Sequence, residues 1–197
     1  MSPPMVAVVV GSTRQARICP AIATWVAGTA GQDSVLRYEL LDLADVDLPF
    51  LDEPRPPAHG GYVHEHTRRW SALAGSYDAF AFVLPQYNWG YPAVLKNALD
   101  FLYDEWAAKP AGIVTYGNHG GGKAAIQLQQ VLTGLHMRTA PEPVLLTVPL
   151  DAAEAGDAAG ELLPSWRPVP RRCATSTWRS QASWPKAPPQ PTRTAGR

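Results

Sequence analysis

The stretch MVAVVVGSTRQAR, residues 5–17, decides the fold. Its first six residues are apolar and mostly β-branched, which is typical of a strand buried on both faces of a parallel sheet. Gly11 permits a tight turn after this strand. Ile18 and Ile22 then recur at helical spacing, so a helix is predicted over residues 18–30. A buried strand, a polar turn and a helix form the repeating unit of an α/β protein.

The same alternation continues along the chain to about residue 150. Further strands are predicted at residues 35–41, 78–84, 111–116 and 143–148, and further helices near 63–73, 94–102 and 128–135, with a long loop at 43–61. Five strands alternating with helices favour an open parallel sheet covered by helices on both faces, a three-layer α/β sandwich. In such sheets, ligands bind beyond the carboxyl ends of the strands.

Charge divides the 197 residues into two parts. Lys and Arg equal Asp and Glu, 17 against 17, which disfavours a strongly basic nucleic-acid binder. Residues 1–163 nevertheless hold 10 basic and 17 acidic residues, whereas residues 164–197 hold 7 basic residues, seven prolines and no acid. We therefore expect an acidic globular domain over residues 1–163 and a basic, proline-rich tail over residues 164–197.

The junction between these parts interrupts a helix. Residues 157–163 have the composition of a helix start, but Pro164 and two further prolines follow closely, which predicts an incomplete final helix. The Arg, Pro, Ala, Ser, Thr and Trp of the tail are what a GC-rich gene yields when read in a shifted frame. A C-terminal frameshift and a genuine disordered tail are the two readings of this segment.

Several classes are disfavoured by what the chain lacks. Cys19 and Cys173 are too few for a disulfide framework or a four-cysteine zinc site, and no metal-binding spacing is present. No apolar run approaches the roughly 20 residues that span a bilayer, so a reduced, cytoplasmic protein is expected. His64 and His66 are predicted to be solvated, and Cys19 to be a small core residue.

The loop after the first predicted strand carries groups that bind anions. Ser12 offers a hydroxyl, and Arg14 and Arg17 add two permanent charges beside the start of a helix, where the free N–H groups favour an anion. The alternative is an ordinary Ser/Thr helix cap with two solvated arginines.

The loops after the third and fourth strands favour a flat ligand. PQYNWGYP, residues 85–92, crowds three aromatics and two amides into eight positions, which suits a polar-edged ring. YGNHGGGK, residues 116–123, lets backbone approach such a ring closely. Its G-x4-G-K spacing is followed by Ala124 rather than Ser or Thr, which disfavours a magnesium–nucleotide loop. The alternatives are a stiff loop that caps the core and a flexible glycine loop.

Together, GSTRQAR, PQYNWGYPAVLKNALDFL and YGNHGGGKAA resemble the NADPH-dependent FMN reductase family over roughly residues 5–150. The resemblance implies a flavodoxin-like sheet with strand order 2-1-3-4-5 and the cofactors FMN and NADPH or NADH. It implies ping-pong hydride transfer from NAD(P)H to a small acceptor such as a quinone, an azo or nitro compound or a metal oxyanion. Because the flavin carries the chemistry, no catalytic side chain is expected.

The resemblance also implies roles for individual residues. Gly11, Ser12, Arg14 and Arg17 would form the phosphate loop, Pro85, Gln86, Tyr87, Asn88 and Trp89 would contact the ribityl chain and ring, and Tyr116 and Gly117 would flank the ring from the other side. Position 86 is often Glu in the family, so Gln86 removes a negative charge near the flavin.

The family commonly associates, so a homodimer or homotetramer is expected. The helix after the second loop often lies in the interface, and Phe101, Leu102, Tyr103 and Trp106 would supply apolar surface there. Two other functions stay open: a flavodoxin-type electron carrier that serves protein partners, and a flavin-free relic.

Overall fold

The structure, a computed structural model, describes residues 2–32 and 34–149. The predicted helix start at 157–163, the domain boundary at 163 and the basic tail lie outside these residues. The elements are β1 (Met5–Val10), α1 (Cys19–Gly31), β2 (Arg37–Asp42), α2 (Leu43–Val46), a 3-10 turn (Pro57–His59), α3 (Glu65–Gly75), β3 (Ala79–Pro85), α4 (Ala93–Asp100), β4 (Pro110–Gly117), α5 (Gly122–Gly134), β5 (Arg138–Thr139) and β6 (Val144–Thr147).

The strands form one parallel sheet. Its order is β2-β1-β3-β4, and β4 pairs with β5 near its start and with β6 near its end. The fifth position of the sheet is therefore shared by two short strands, and the predicted order 2-1-3-4-5 is confirmed. Val10 lies opposite both Asp42 and Val83, and Pro85 lies opposite Tyr116. This register brings the carboxyl ends of β1, β3 and β4 to one edge of the sheet.

The sheet is buried on both faces. Along β1, Ala7 and Val9 pack into one core cluster while Val6, Val8 and Val10 pack into a second, which lies against α1. All seven residues of β3 are buried. Burial on both sides explains why these strands are continuous apolar runs rather than alternating ones.

Two local predictions were wrong. The segment 43–61 holds a short helix, α2, because the Asp42 carboxylate accepts a hydrogen bond from the Ala44 N–H at 2.9 Å and caps its first turn. Helix α5 begins at Gly122, earlier than the apolar spacing indicates. Gly121 precedes it with φ 79°, and a Cβ there would lie 2.9 Å from the Thr115 Cβ, so only glycine suits this entry.

Surface assignments also change. The side chains of Phe101, Leu102 and Trp106 are buried in this chain's own core, so they offer no apolar surface to a second copy. His64 and His66 are half-buried rather than solvated: their rings stack with centroids 5.2 Å apart, and both contact Asp52. Over residues 2–32 and 34–149, no helix has the length and apolar character needed to cross a bilayer.

Candidate functional site

The three predicted loops meet at one edge of the sheet and are tied to one another. The Ser12 hydroxyl lies 2.9 Å from the Tyr87 hydroxyl, which joins the first loop to the second. The Gln86 Oε1 accepts hydrogen bonds from the Lys123 and Ala124 N–H groups at 3.0 and 3.2 Å, which joins the second loop to the start of α5. The residues assigned to a common site from the sequence are thus neighbours in space.

The first loop begins in a tightly packed position. The Gly11 N–H donates to the Val83 carbonyl at 2.8 Å, and a Cβ at Gly11 would lie 2.9 Å from that oxygen. Ser12, the next residue, is fully buried. The glycine therefore serves close packing against β3, and the packing fixes the position of the Ser12 hydroxyl.

The start of α1, which follows this loop, has the features of an anion site. Its first turn has neither a side-chain cap nor an acidic residue. Arg14 is exposed, and its guanidinium carbon lies 5.9 Å from the centroid of the Tyr87 ring. Within the described part of the chain, Arg14 forms no ion pair. A free cation beside an uncapped helix start favours a bound anion.

Arg17 differs from Arg14 in having a partner. Its Nη2 lies 2.7 Å from the Asp42 Oδ2, and both side chains are about four-fifths buried. The register that places the end of β2 beside the end of β1 brings this carboxylate to the loop. Because Asp42 already balances its charge, Arg17 has less attraction left for a ligand than Arg14 has.

Residues 87–90 form a two-residue hairpin turn in an unusual conformation. The Tyr87 and Gly90 N–H groups donate to each other's carbonyls at 2.9 and 2.8 Å. Asn88 and Trp89 lie between them with φ of 47° and 70°. Both values are left-handed, as a type I′ turn requires, and a left-handed tryptophan costs roughly 1–2 kcal/mol. Trp89 is 67% exposed.

Tyr116 is placed differently from what the sequence suggests. Its side chain packs in the core cluster on the α1 side and forms a hydrogen bond with the Cys19 thiol. Burial raises the pKa of both groups, that of Cys19 to about 11. The phenol thus lies beneath the first loop. A direct contact between Tyr116 or Gly117 and a bound ring stays a prediction.

A cleft of about 510 Å³ adjoins the hairpin turn. Its lining residues come from the second loop, the start of α5 and the end of the sheet: Gln86, Trp89, His119, Gly122, Lys123, Ile126, Pro143 and Leu145. Lys123 belongs to the third predicted loop, whereas no motif predicted that Ile126 and Leu145 would join the site. The sequence signal available for this part of the site was an apolar residue outside the buried face of its helix. Ile126 is such a residue and is 57% exposed.

A parallel α/β sheet that gathers an anion-binding loop and an aromatic, amide-bearing loop at one edge defines a flavodoxin-like nucleotide-binding protein. The chain belongs to the NADPH-dependent FMN reductase family, because the model of that family matches residues 4–148. The protein is therefore an enzyme of the NAD(P)H-dependent FMN reductase and quinone reductase type, and FMN and NAD(P)H are its cofactors.

Three relatives illustrate this membership. An NAD(P)H-dependent FMN reductase of Schizosaccharomyces pombe is 48% identical over 155 residues, which cover 78% of each chain. An NAD(P)H-dependent FMN reductase of Saccharomyces cerevisiae is 46% identical over 143 residues, covering 67% of this chain and 75% of the relative. A probable NADPH:quinone oxidoreductase of Oryza sativa is 30% identical over 164 residues, covering 80% and 81%.

Solved structures confirm the fold. The NAD(P)H:(acceptor) oxidoreductase FerB of Paracoccus denitrificans has a TM-score of 0.61 at 23% identity, covering 83% of this chain and 96% of FerB. An NAD(P)H:quinone oxidoreductase of Methanothermobacter marburgensis has a TM-score of 0.60 at 18% identity, covering 82% and 94%. At these identities the likeness concerns the architecture alone.

The groups at the site suit FMN. Buried Ser12, the uncapped start of α1 and Arg14, which has no ion pair among the described residues, together suit a terminal phosphate. The ring of Tyr87 and the amide of Asn88 lie on the adjoining turn, where a flat heterocycle needs an aromatic face and polar edges.

Proposed function

We propose that the protein holds FMN at its three loops and passes electrons from NAD(P)H to small acceptors, quinones first among them. The observation that carries the proposal is the guanidinium of Arg14, which forms no ion pair within the described residues and lies over the Tyr87 ring, whose hydroxyl contacts the buried Ser12 hydroxyl, in the loop that leads to the uncapped start of α1. Bound FMN supplies the hydride chemistry, so the chain needs no acid, base or nucleophile of its own.

The proposed roles divide the site into two ends. Ser12 and Arg14 bind the phosphate, Gly11 positions Ser12 by packing against β3, and Arg17 supports the loop through its pair with Asp42. The ribityl chain and ring contact the second loop from one side and the third loop from the other. The residues proposed for these contacts are Pro85, Gln86, Tyr87, Asn88, Trp89, Tyr116 and Gly117.

The choice of acceptor rests on the relatives. Several are named quinone oxidoreductases, which favours a quinone over the azo, nitro and metal-oxyanion alternatives. The cleft that adjoins the turn is a shared opening in this proposal, which NAD(P)H and the acceptor would use in succession. Alternate use of one opening produces ping-pong kinetics.

Anaerobic stopped-flow absorbance of the flavin-loaded protein tests this proposal. Mixing with NADPH or NADH should bleach the flavin directly, and a quinone should restore its colour without a partner protein. Initial rates at several quinone concentrations should give parallel double-reciprocal lines. Bleaching only in the presence of a second protein would favour an electron carrier, and failure to bind flavin at all would favour a relic.

We also propose that the enzyme acts in the cytoplasm as a homodimer or homotetramer. The support for association comes from residues other than those first considered. Asn97, on α4, donates to the Pro49 carbonyl at 2.7 Å and accepts from the Leu51 N–H at 3.0 Å. Phe50 is held between them with 87% of its surface exposed. A fixed, exposed phenylalanine beside α4 suits an interface.

Light scattering after size-exclusion chromatography tests the association. The wild-type chain should elute as a dimer or tetramer at micromolar concentration, and Phe50→Ser should raise its dissociation constant at least about 10-fold, since it removes a large apolar side chain. Val35→Ser changes another highly exposed apolar residue, 72% exposed in the connection between α1 and β2, and should leave the assembly unchanged. A monomeric wild type would refute the proposal.

A further inference from the structure

The conformation of Trp89 is unfavourable and nothing in the fold requires its indole. A type I′ turn favours glycine at its second central position, yet the chain has a tryptophan there with φ 70°. Trp89 is mostly exposed, so burial of its side chain does not offset the cost of this conformation. Backbone strain of this kind is retained where it serves a function.

The surroundings of the indole have a definite chemistry. The Lys123 ammonium lies 5.1 Å from the centre of the Trp89 ring. Ile126 and Leu145, 57% and 49% exposed, form an apolar wall of the same cleft. No carboxylate lies among the described residues that line it, although the first 163 residues are rich in acid. The cleft thus combines an aromatic face, an apolar wall and a positive charge.

Gln86 adds a directed hydrogen-bond donor. Its Oε1 is fixed as an acceptor by the two N–H groups at the start of α5. The other end of the same amide, Nε2, is then a donor at the wall of the cleft. A glutamate at this position would accept the same two hydrogen bonds but would place a charge where Gln86 has N–H groups.

We propose that this cleft is the subsite for the electron acceptor and selects planar aromatic acceptors that carry an anionic group. The aromatic ring packs against the Trp89 indole and the apolar wall, the anionic group pairs with Lys123, and a carbonyl oxygen accepts from Gln86. This assignment rests on the proposed function, because it presupposes that a small acceptor is reduced. It concerns binding and adds no chemical step.

Equilibrium dialysis of the oxidised, flavin-loaded protein tests the subsite without turnover. The probes are 1,4-naphthoquinone and 1,4-naphthoquinone-2-sulfonate, which differ in one anionic group. The wild type should bind the sulfonate about 10-fold more tightly, and Lys123→Gln should remove that difference while leaving the neutral quinone within about twofold. Arg69→Gln removes an exposed charge on α3 and should leave both affinities unchanged.

Trp89→Gly separates function from folding. Glycine relieves the left-handed strain, so the unfolding free energy of the flavin-free protein should be unchanged or higher. At a flavin content equal to that of the wild type, checked by absorbance, both quinones should bind about 10-fold more weakly. Ala108→Gly is the matched control: Ala108 also has a left-handed φ, 60°, but does not line the cleft, so glycine there should leave the affinity for both quinones unchanged.

Three results would overturn the subsite. The first is equal affinity of the wild type for the two quinones, and the second is an equal loss of affinity for both quinones in Lys123→Gln. The third is an effect of Lys123→Gln on NADP⁺ binding alone, which would assign the cleft to the nicotinamide nucleotide. The proposed function fails separately: tight sulfonate binding without NADPH oxidation refutes the reductase, and quinone reduction without charge preference refutes only the subsite.

Discussion

The loop after β1 and the turn after β3 leave neighbouring strands, yet they are built in opposite ways. The first loop is packed: Gly11 lies against the Val83 carbonyl and Ser12 is fully buried. The turn at residues 87–90 projects outward, with Trp89 mostly exposed in a left-handed conformation. One end of the site is fixed by the core, and the other end faces solvent.

This difference matches the ligands that we propose for the two ends. A phosphate has one shape, so rigid donors held by the core reduce the entropy that binding costs. Acceptors vary in shape, and an exposed aromatic ring offers contact area without a fixed hydrogen-bond pattern. Substitutions at the packed end should therefore affect folding and cofactor binding together, whereas substitutions at the open end should change ligand affinity alone.

The largest expected effect comes from Gly11→Ala. The added Cβ would lie 2.9 Å from a backbone oxygen that has no room to move within β3. Overpacking of this kind should lower the free energy of unfolding by about 3 kcal/mol and displace Ser12. Urea denaturation of the flavin-free protein measures the loss, and titration with FMN measures the accompanying drop in affinity.

Gly28→Ala is the matched control for Gly11→Ala. A Cβ at Gly28, on the exposed side of α1, meets no atom within 4 Å. Alanine should stabilise the helix there by about 0.5–1 kcal/mol. Similar behaviour of the two variants would show that close packing against β3 does not determine the glycine at position 11.

The next largest effect separates the two arginines of the first loop. Arg14→Ala should weaken FMN binding by about 1.5–3 kcal/mol, the range for a hydrogen bond to a charged group. Arg17→Ala should weaken it less, because Asp42 already pairs with that guanidinium. Fluorescence titration of free FMN, whose emission is quenched on binding, gives both constants. Equal losses would place both guanidinium groups on the phosphate.

Much of the fold was predictable because the strands are buried on both faces. A run such as MVAVVV is typical of a strand buried on both faces of a sheet. Five strands that alternate with helices are compatible with only a few sheet topologies. The start of α5 was not predictable from its own residues. Its first turn is glycine and lysine, and the group that caps it, Gln86, comes from a loop 37 residues earlier.

The site shows the same division between local and tertiary information. The three loops could be assigned to one edge, because parallel strands end there. Which arginine stays free could not be assigned, because the Arg17–Asp42 pair depends on the register between β1 and β2. The buried position of the Tyr116 phenol likewise depends on Cys19, which lies 97 positions away in the chain.

A smaller effect is expected at the connection between the fixed and open ends. Gln86→Leu removes the acceptor for two N–H groups of α5 and should destabilise the protein by about 1 kcal/mol. Gln86→Glu keeps the acceptor and should restore stability above about pH 5, since a carboxylate at a helix start is favoured when ionised. This gain should disappear as the pH falls through the pKa of the carboxyl group. Urea denaturation between pH 4 and pH 8 tests both variants.

The smallest expected effect concerns the packed floor of the first loop, where burial raises the pKa of the Cys19 thiol to about 11. The folded protein keeps this proton after the unfolded chain has lost it, so the thiol contributes full stability below about pH 9 and progressively less as the pH rises towards 11. Between pH 8 and 9.5 the loss should be on the order of 1 kcal/mol. Comparing the unfolding free energies of the wild type and Cys19→Ala separates this loss from that of the tyrosines that do not contact Cys19, whose ionisation is common to both proteins. In a Cys173→Ser background, a disulfide reagent at pH 8 should modify the native thiol only at the rate of unfolding. Rapid modification would show that the floor of the loop opens to solvent, and the contrast between a packed and an open end would then not hold.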